Sequence, residues 1–314
     1  MNKPSDANGF MLGFIIYSGL LPFALIFAAG FMGINISDLE SILTLFQHLL
    51  IFAVPIAFYC LVTGNKLRDI VPHEPLSVGN IALILLIALF TIPLMLWVGT
   101  ITDFFIEDDM NETVNEIVEN NSMTYLITAI AVMPGVFEEL MFRGVIMTGY
   151  KRMGIVKSSV AAAVLFGIMH LSLTQLFYAA AAGVVFGILV HYSNSIYSSM
   201  LAHFVINGIQ AAASKLASSS SIYDAEEAAE ELSKTEIFAG TTVLLVVTLP
   251  VLILLLFAYI YLNRGKNVDY KYSLTPKKEF VCDMQSGRGR IIDVKFVLVI
   301  VFYCLYVGMM SFFK

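Results

Sequence analysis

Three short stretches place polar side chains inside runs that are otherwise hydrocarbon. FEELMFRG holds Glu138, Glu139 and Arg143; FGIMH ends on His170; HFVIN opens on His203 and closes on Asn207. A charged group at the centre of a bilayer costs roughly 2.5–3.5 kcal/mol even on lenient insertion scales, so such residues face inward and mark a working site by default. Glu139 and Arg143 are four residues apart and share a helix face, where they can pair. Glu138 is turned by about 100° from Glu139, and the position four residues on is Phe142, which offers no partner. It is therefore the acid left free for proton transfer. His203 and Asn207 have the same four-residue spacing, which directs an imidazole and an amide from one helix face.

A shared site requires a shared depth. Glu138 lies thirteen residues from Lys151 and His170 thirteen residues from Lys157, or about 20 Å in each case at the helical rise. Counted from Ser195, Asn207 lies at about 18 Å and His203 at about 12 Å. These levels agree to within the reach of a side chain. A carboxylate, an imidazole and an imidazole–amide pair at one buried level could hydrolyse a bond. The first two would activate water and the pair would donate to a developing oxyanion. The same groups could also serve zinc, since two His and one Glu hold it with a position open for water.

The hydrocarbon is established by composition. Of 314 residues, 58% are hydrophobic and 13% charged, against about 25% charged in soluble domains. Apolar runs near 10–33, 44–64, 80–100, 124–150, 158–172, 175–192, 195–213, 238–262 and 294–313 predict an all-α, polytopic transmembrane bundle of about eight to nine spanning helices. Residues 1–123 form the N-terminal helices and an outer acidic loop. Residues 124–213 form the core bearing the polar groups, and 214–314 the C-terminal helices with a basic loop. The first run is too long for a cleaved signal segment, which predicts an uncleaved anchor.

Lys and Arg collect in alternate loops: Lys66 and Arg68, then Lys151, Arg152 and Lys157, then eight more between 263 and 295. The intervening segments 101–123 and 217–236 are acidic. The positive-inside rule then predicts a cytoplasmic N-terminus in a multi-pass protein of the cell membrane. The net charge of −6 arises in the outer loops and argues against nucleic acid as a partner. Cys60, Cys282 and Cys304 show no CxxC spacing, so neither a disulfide framework nor a cysteine metal site is indicated. The segment around Met110, Val114, Ile117 and Val118 has the stripe of a surface helix. The small-residue runs AAAV (161–164) and AAAAG (179–183) predict close approach of the fifth and sixth helices. His48 and His191, near the ends of runs, and His73, in a loop, read as interfacial.

In order and about thirty residues apart, EELMFR fits EExxxR, FGIMH fits FxxxH from Phe166, and HFVIN fits HxxxN. Together they resemble the CAAX protease and bacteriocin-processing (CPBP, or Abi) family of intramembrane endopeptidases over roughly 124–213. The resemblance implies that Glu138 with His170 activates the attacking water, that Glu139 and Arg143 support the site, and that His203 and Asn207 form the oxyanion hole. It implies a membrane-associated protein or peptide as substrate. No cofactor is favoured; if zinc is used, Glu138, His170 and His203 are its ligands. Two rivals stand beside this. A proton-coupled transporter would need acids at several depths, whereas here they occupy one level, and a catalytically silent scaffold or immunity protein would not need intact motifs. Taken singly, Glu139 with Arg143 suits a structural ion pair, and each His suits a satisfied interior group.

Overall fold

In the computed structural model the described residues are 3–34, 48–106, 117–218, 233–264 and 290–312. They fold into nine long helices: α1 (Pro4–Met32), α2 (Leu49–Thr63), α3 (Val78–Asp103), α4 (Met123–Met153), α5 (Ile155–Met169), α6 (Leu173–Ser193), α7 (Ile196–Ala217), α8 (Lys234–Asn263) and α9 (Val294–Phe312). Each falls on a run picked out by its apolar residues. Five of them, α1, α3, α4, α6 and α8, are long and apolar enough to cross a membrane unaided. The protein is an integral membrane protein. Among the described residues there is no strand, only an isolated bridge between His73 and Ser195. Cys282, most of the basic 263–295 loop, and Met110 and Val114 of the surface stripe lie outside the described residues.

The site depends on an element that is too short. At 15 residues, α5 rises about 22 Å, less than the roughly 30 Å of hydrocarbon in a bilayer. Its chain turns back at once into α6. His170 ends α5, Leu171 takes the left-handed conformation at φ 53°, and Ser172 caps α6 by accepting from the Gln175 N–H at 3.3 Å. Close contact between α5 and α6 holds this turn in place. A Cβ on Gly167 would lie 2.3 Å from the Leu176 carbonyl oxygen, and one on Gly187 would lie 2.7 Å from Ser159 Oγ. Ala161, Ala162, Ala163, Ala179 and Ala182 are buried along the same seam, as the small-residue runs predict.

Polar clasps fix the remaining helices. Asn80 and Asn263 exchange amide hydrogen bonds at 2.8 Å in both directions between α3 and α8, and Trp97 donates to Thr242 Oγ1 at 3.0 Å farther along the same pair. In hydrocarbon such groups have no water to bond, so the pairing ties the helices in register. Asn8 on α1 donates to Asp293 at 2.8 Å and accepts from the Tyr150 hydroxyl of α4. That joins α9 to the first half of the chain. His191, expected at the interface, is instead buried and shares a hydrogen bond of 2.8 Å with Ser158 of α5. Its partner lies on the neighbouring helix, which no spacing along α6 reveals.

Candidate active site

Helix α4 is not regular. Wide π-helical turns at Ile127–Val132 and Leu140–Ile146 flank the α-helical stretch Met133–Glu139. Such turns occur often at functional sites, because they re-aim side chains at a small cost in geometry. Pro134 sits at the junction. Lacking an N–H, it leaves the carbonyl four residues back without its helical donor. That carbonyl is Ile130, and Asn207 of α7 donates its amide to it at 2.8 Å. The bond docks α7 against α4 and fixes the Asn207 side chain.

Glu138 and Glu139 are both buried, and they face different partners. Arg143 Nη1 donates to Glu139 Oε1 at 2.7 Å, and His203 Nδ1 donates to the same oxygen at 2.9 Å. Arg143 also donates to the Gly183 carbonyl at 3.3 Å, and its guanidinium lies between the rings of Phe166, 4.4 Å away, and Phe186, 5.1 Å away. The expected pair is thus present and is part of a larger network. Glu139 does more than balance Arg143: it fixes the orientation of His203. Because a carboxylate takes the Nδ1 proton, the Nε2 atom of His203 is the one turned toward the cavity.

Glu138 carries no direct hydrogen bond on Oε2. His203 Nε2 lies 4.0 Å from that oxygen, and His48 Nε2 lies 3.9 Å from Oε1. His48 is a correction to its interfacial assignment. It directly precedes the π-helical turn Leu49–Ala53 that opens α2, stacks on Phe52 at 5.9 Å, and has a side chain only 16% exposed. Glu138 has no partner on its own helix, as its spacing from Phe142 predicts. Two imidazoles flank it, each from another helix.

His170 donates Nδ1–H to the Phe166 carbonyl at 2.9 Å, the carbonyl four residues back that a helix end leaves open. Its Nε2 is thereby left as an acceptor. Phe166 meets it edge-on at 5.0 Å and also meets His203 at 5.9 Å. One ring therefore packs against Arg143, His170 and His203, which accounts for an aromatic residue at this position.

All of these groups meet at one cavity of about 680 Å³, within the range of pockets that take ligands of several residues or fewer. Glu138, His170, His203, Asn207, Phe166 and His48 line its floor and walls. It extends past Tyr178 and Gln210 to Asp103 and Ser214, near the ends of α3 and α7. Among the described residues, no group of three or more His, Cys, Asp or Glu side chains is arranged to hold a metal ion. His170 keeps Nδ1 on a carbonyl and His203 keeps its own on Glu139, so Nε2 is the ring nitrogen each has left to offer.

Residues 120–209 match the family model described as Rce1-like, type II CAAX prenyl endopeptidase. That stretch of the chain is similar to this family. The match spans α4 through most of α7, the same stretch that holds the three motifs, and it supports an intramembrane protease of the CAAX type in general. No curated protein and no solved structure matches the chain. Within the matched segment Glu138, Phe166, His170, His203 and Asn207 line one cavity, with Glu139 and Arg143 bonded behind them, and from outside that segment His48 joins the lining.

Proposed function

We propose that the protein is a glutamate-dependent intramembrane endopeptidase that hydrolyses a peptide bond of a membrane-associated protein or peptide. The observation that carries this is a buried carboxylate, Glu138, that lines a wide cavity and has an imidazole nitrogen 3.9 Å from one oxygen and another 4.0 Å from the other. Water reaching Glu138 would lose a proton to it while attacking the peptide carbonyl carbon. His170 Nε2, an acceptor by its tautomer, steadies that water. The carbonyl oxygen becomes an oxyanion, which the second amide N–H of Asn207 and the Nε2–H of a doubly protonated His203 can meet. Glu139 balances the charge His203 then carries, as a carboxylate does for an imidazolium in other hydrolases. Collapse of the intermediate breaks the C–N bond, and the proton on Glu138 passes to the leaving amine.

In this reading Glu138 is the base and no metal is invoked. Purified protein in lipid vesicles, given a lipid-anchored peptide with a fluorophore and quencher on either side of the scissile region, is expected to release fluorescence. A chelator should leave the rate largely intact. Loss of activity on chelation that zinc restores would replace this mechanism with a metal-dependent one, and no cleavage of any anchored peptide would favour the silent scaffold.

Under the positive-inside assignment with the N-terminus in the cytoplasm, the ends of α3 and α7 lie on the outer face of the cell membrane. The cavity reaches that face, so substrate would enter from outside. With Cys60, Cys282 and Cys304 replaced by Ser, a single cysteine at Ser214 should react with a membrane-impermeant maleimide in intact cells. One at Lys157 should react only after lysis. The opposite pattern would invert the protein and bring substrate from the cytoplasm.

A further inference from the structure

We propose that His48 is a further catalytic residue, contacting the water that Glu138 activates. The inference rests on the hydrolase reading of Glu138. His48 lies on the chain well before the matched segment 120–209 and belongs to none of its three motifs. Three observations place it on the reacting atoms. Its Nε2 is 3.9 Å from Glu138 Oε1, its ring lines the cavity, and its side chain is largely buried. A separation of 3.9 Å exceeds a direct hydrogen bond, but a water at about 2.8 Å from each atom fits between them.

The chemistry of the two contacts differs. Glu138 Oε1 takes one proton of the bridging water as the oxygen attacks the peptide carbonyl. The other O–H, which points to His170 Nε2, stays on the oxygen and ends in the new carboxyl group, while the Nε2–H of His48 donates to the lone pair of the water that does not attack. His48 therefore ends the step as it began, with no net proton gained. Its effect is to fix the direction of the water's attacking lone pair. Orientation of that kind matters, since a misplacement of about 1 Å can cost on the order of 100-fold in rate. The ring is held for this task by stacking on Phe52, with planes within 17° of parallel, and Phe52 in turn stacks on Phe14 of α1 at 5.4 Å. Helix α1, which bears none of the polar motifs, thereby supports the site.

Two substitutions separate catalysis from packing. H48F keeps an aromatic ring on Phe52 and removes both nitrogens; H48Q keeps an amide N–H that can donate to the water but gives up the stack. If His48 orients the water, H48F should melt at or above the wild-type temperature yet lose about 10- to 100-fold in kcat with KM nearly unchanged. H48Q should then retain much of kcat while melting lower. Wild-type kcat in H48F would overturn the proposal, as would a loss in H48Q larger than that in H48F. E138Q measured alongside keeps the two claims apart. An inactive E138Q with a fully active H48F rejects His48 alone, whereas an active E138Q rejects the hydrolase reading on which His48 depends.

Discussion

Replacing Glu138 with Gln should abolish measurable hydrolysis while leaving the protein folded. The amide keeps the size of the carboxyl and its capacity to hydrogen bond, but it cannot take a proton from water, and general base catalysis supplies roughly 10²–10⁴-fold in rate. The fold should tolerate the change because Glu138 makes no direct hydrogen bond through Oε2 and faces its two imidazoles only at 3.9 and 4.0 Å. Deleting a buried charge without a close partner relieves a desolvation cost, so the melting temperature should hold or rise. A melting curve and a cleavage rate on the same purified sample check both halves. An E138Q protein that still cleaves at the wild-type rate would exclude Glu138 as the base.

Glu139→Gln should have the opposite signature, lowering stability and activity together. One oxygen of Glu139 accepts from both Arg143 and His203, so its charge serves the fold and the site at once. Removing it leaves the Arg143 guanidinium buried among Phe166, Phe186 and a backbone carbonyl with no counter-charge. Breaking one side of a buried pair typically costs about 3–5 kcal/mol. The double variant E139Q/R143M removes the stranded cation as well and should recover part of that loss. It should not recover activity, because no negative charge then stands behind His203. Thermal melts of the wild type, E139Q and the double variant test the order. A double variant no more stable than E139Q would mean that Arg143 is held by its aromatic neighbours and needs no carboxylate.

The contrast between these neighbouring glutamates shows what the linear sequence discloses. The pairing of Glu139 with Arg143 follows from their spacing alone, since a four-residue step on a helix brings side chains together. That His203 joins them does not follow, because the contact crosses from α7 to α4 and depends on how two helices dock. The docking itself was half legible. Pro134 announces an open carbonyl at Ile130, but nothing along the chain says that Asn207 fills it. The π-helical turns of α4 are harder still, for outside Glu138, Glu139 and Arg143 the run 124–150 is largely apolar and periodicity gives no sign of a widened turn.

His48 was missed for a different reason. In FQHLLIF it is a single imidazole at the edge of an apolar run, the ordinary place for an interfacial group, and charge patterning put it near a span end. Depth counting was the signal that could have found it. From Thr63, at the other end of α2, His48 lies fifteen residues away, or about 22 Å, the level already computed for Glu138 and His170. The nine helices themselves were legible because hydrocarbon demands long apolar runs. The shortness of α5 was visible only in part: the run around 158–172 fitted a span by composition, and only the structure ends the helix at Met169, before a left-handed turn at Leu171.

The central claim is that Glu138 drives the attack of water on a peptide bond inside the membrane. Its most direct measurement is isotope incorporation. Purified protein in vesicles is incubated with an anchored peptide in water enriched in oxygen-18, and the products are weighed by mass spectrometry beside an E138Q control. The account predicts two fragments, the new carboxyl terminus carrying one heavy oxygen from solvent, and neither fragment with E138Q. An intact peptide in both samples, or labelled fragments appearing equally in E138Q, would contradict it.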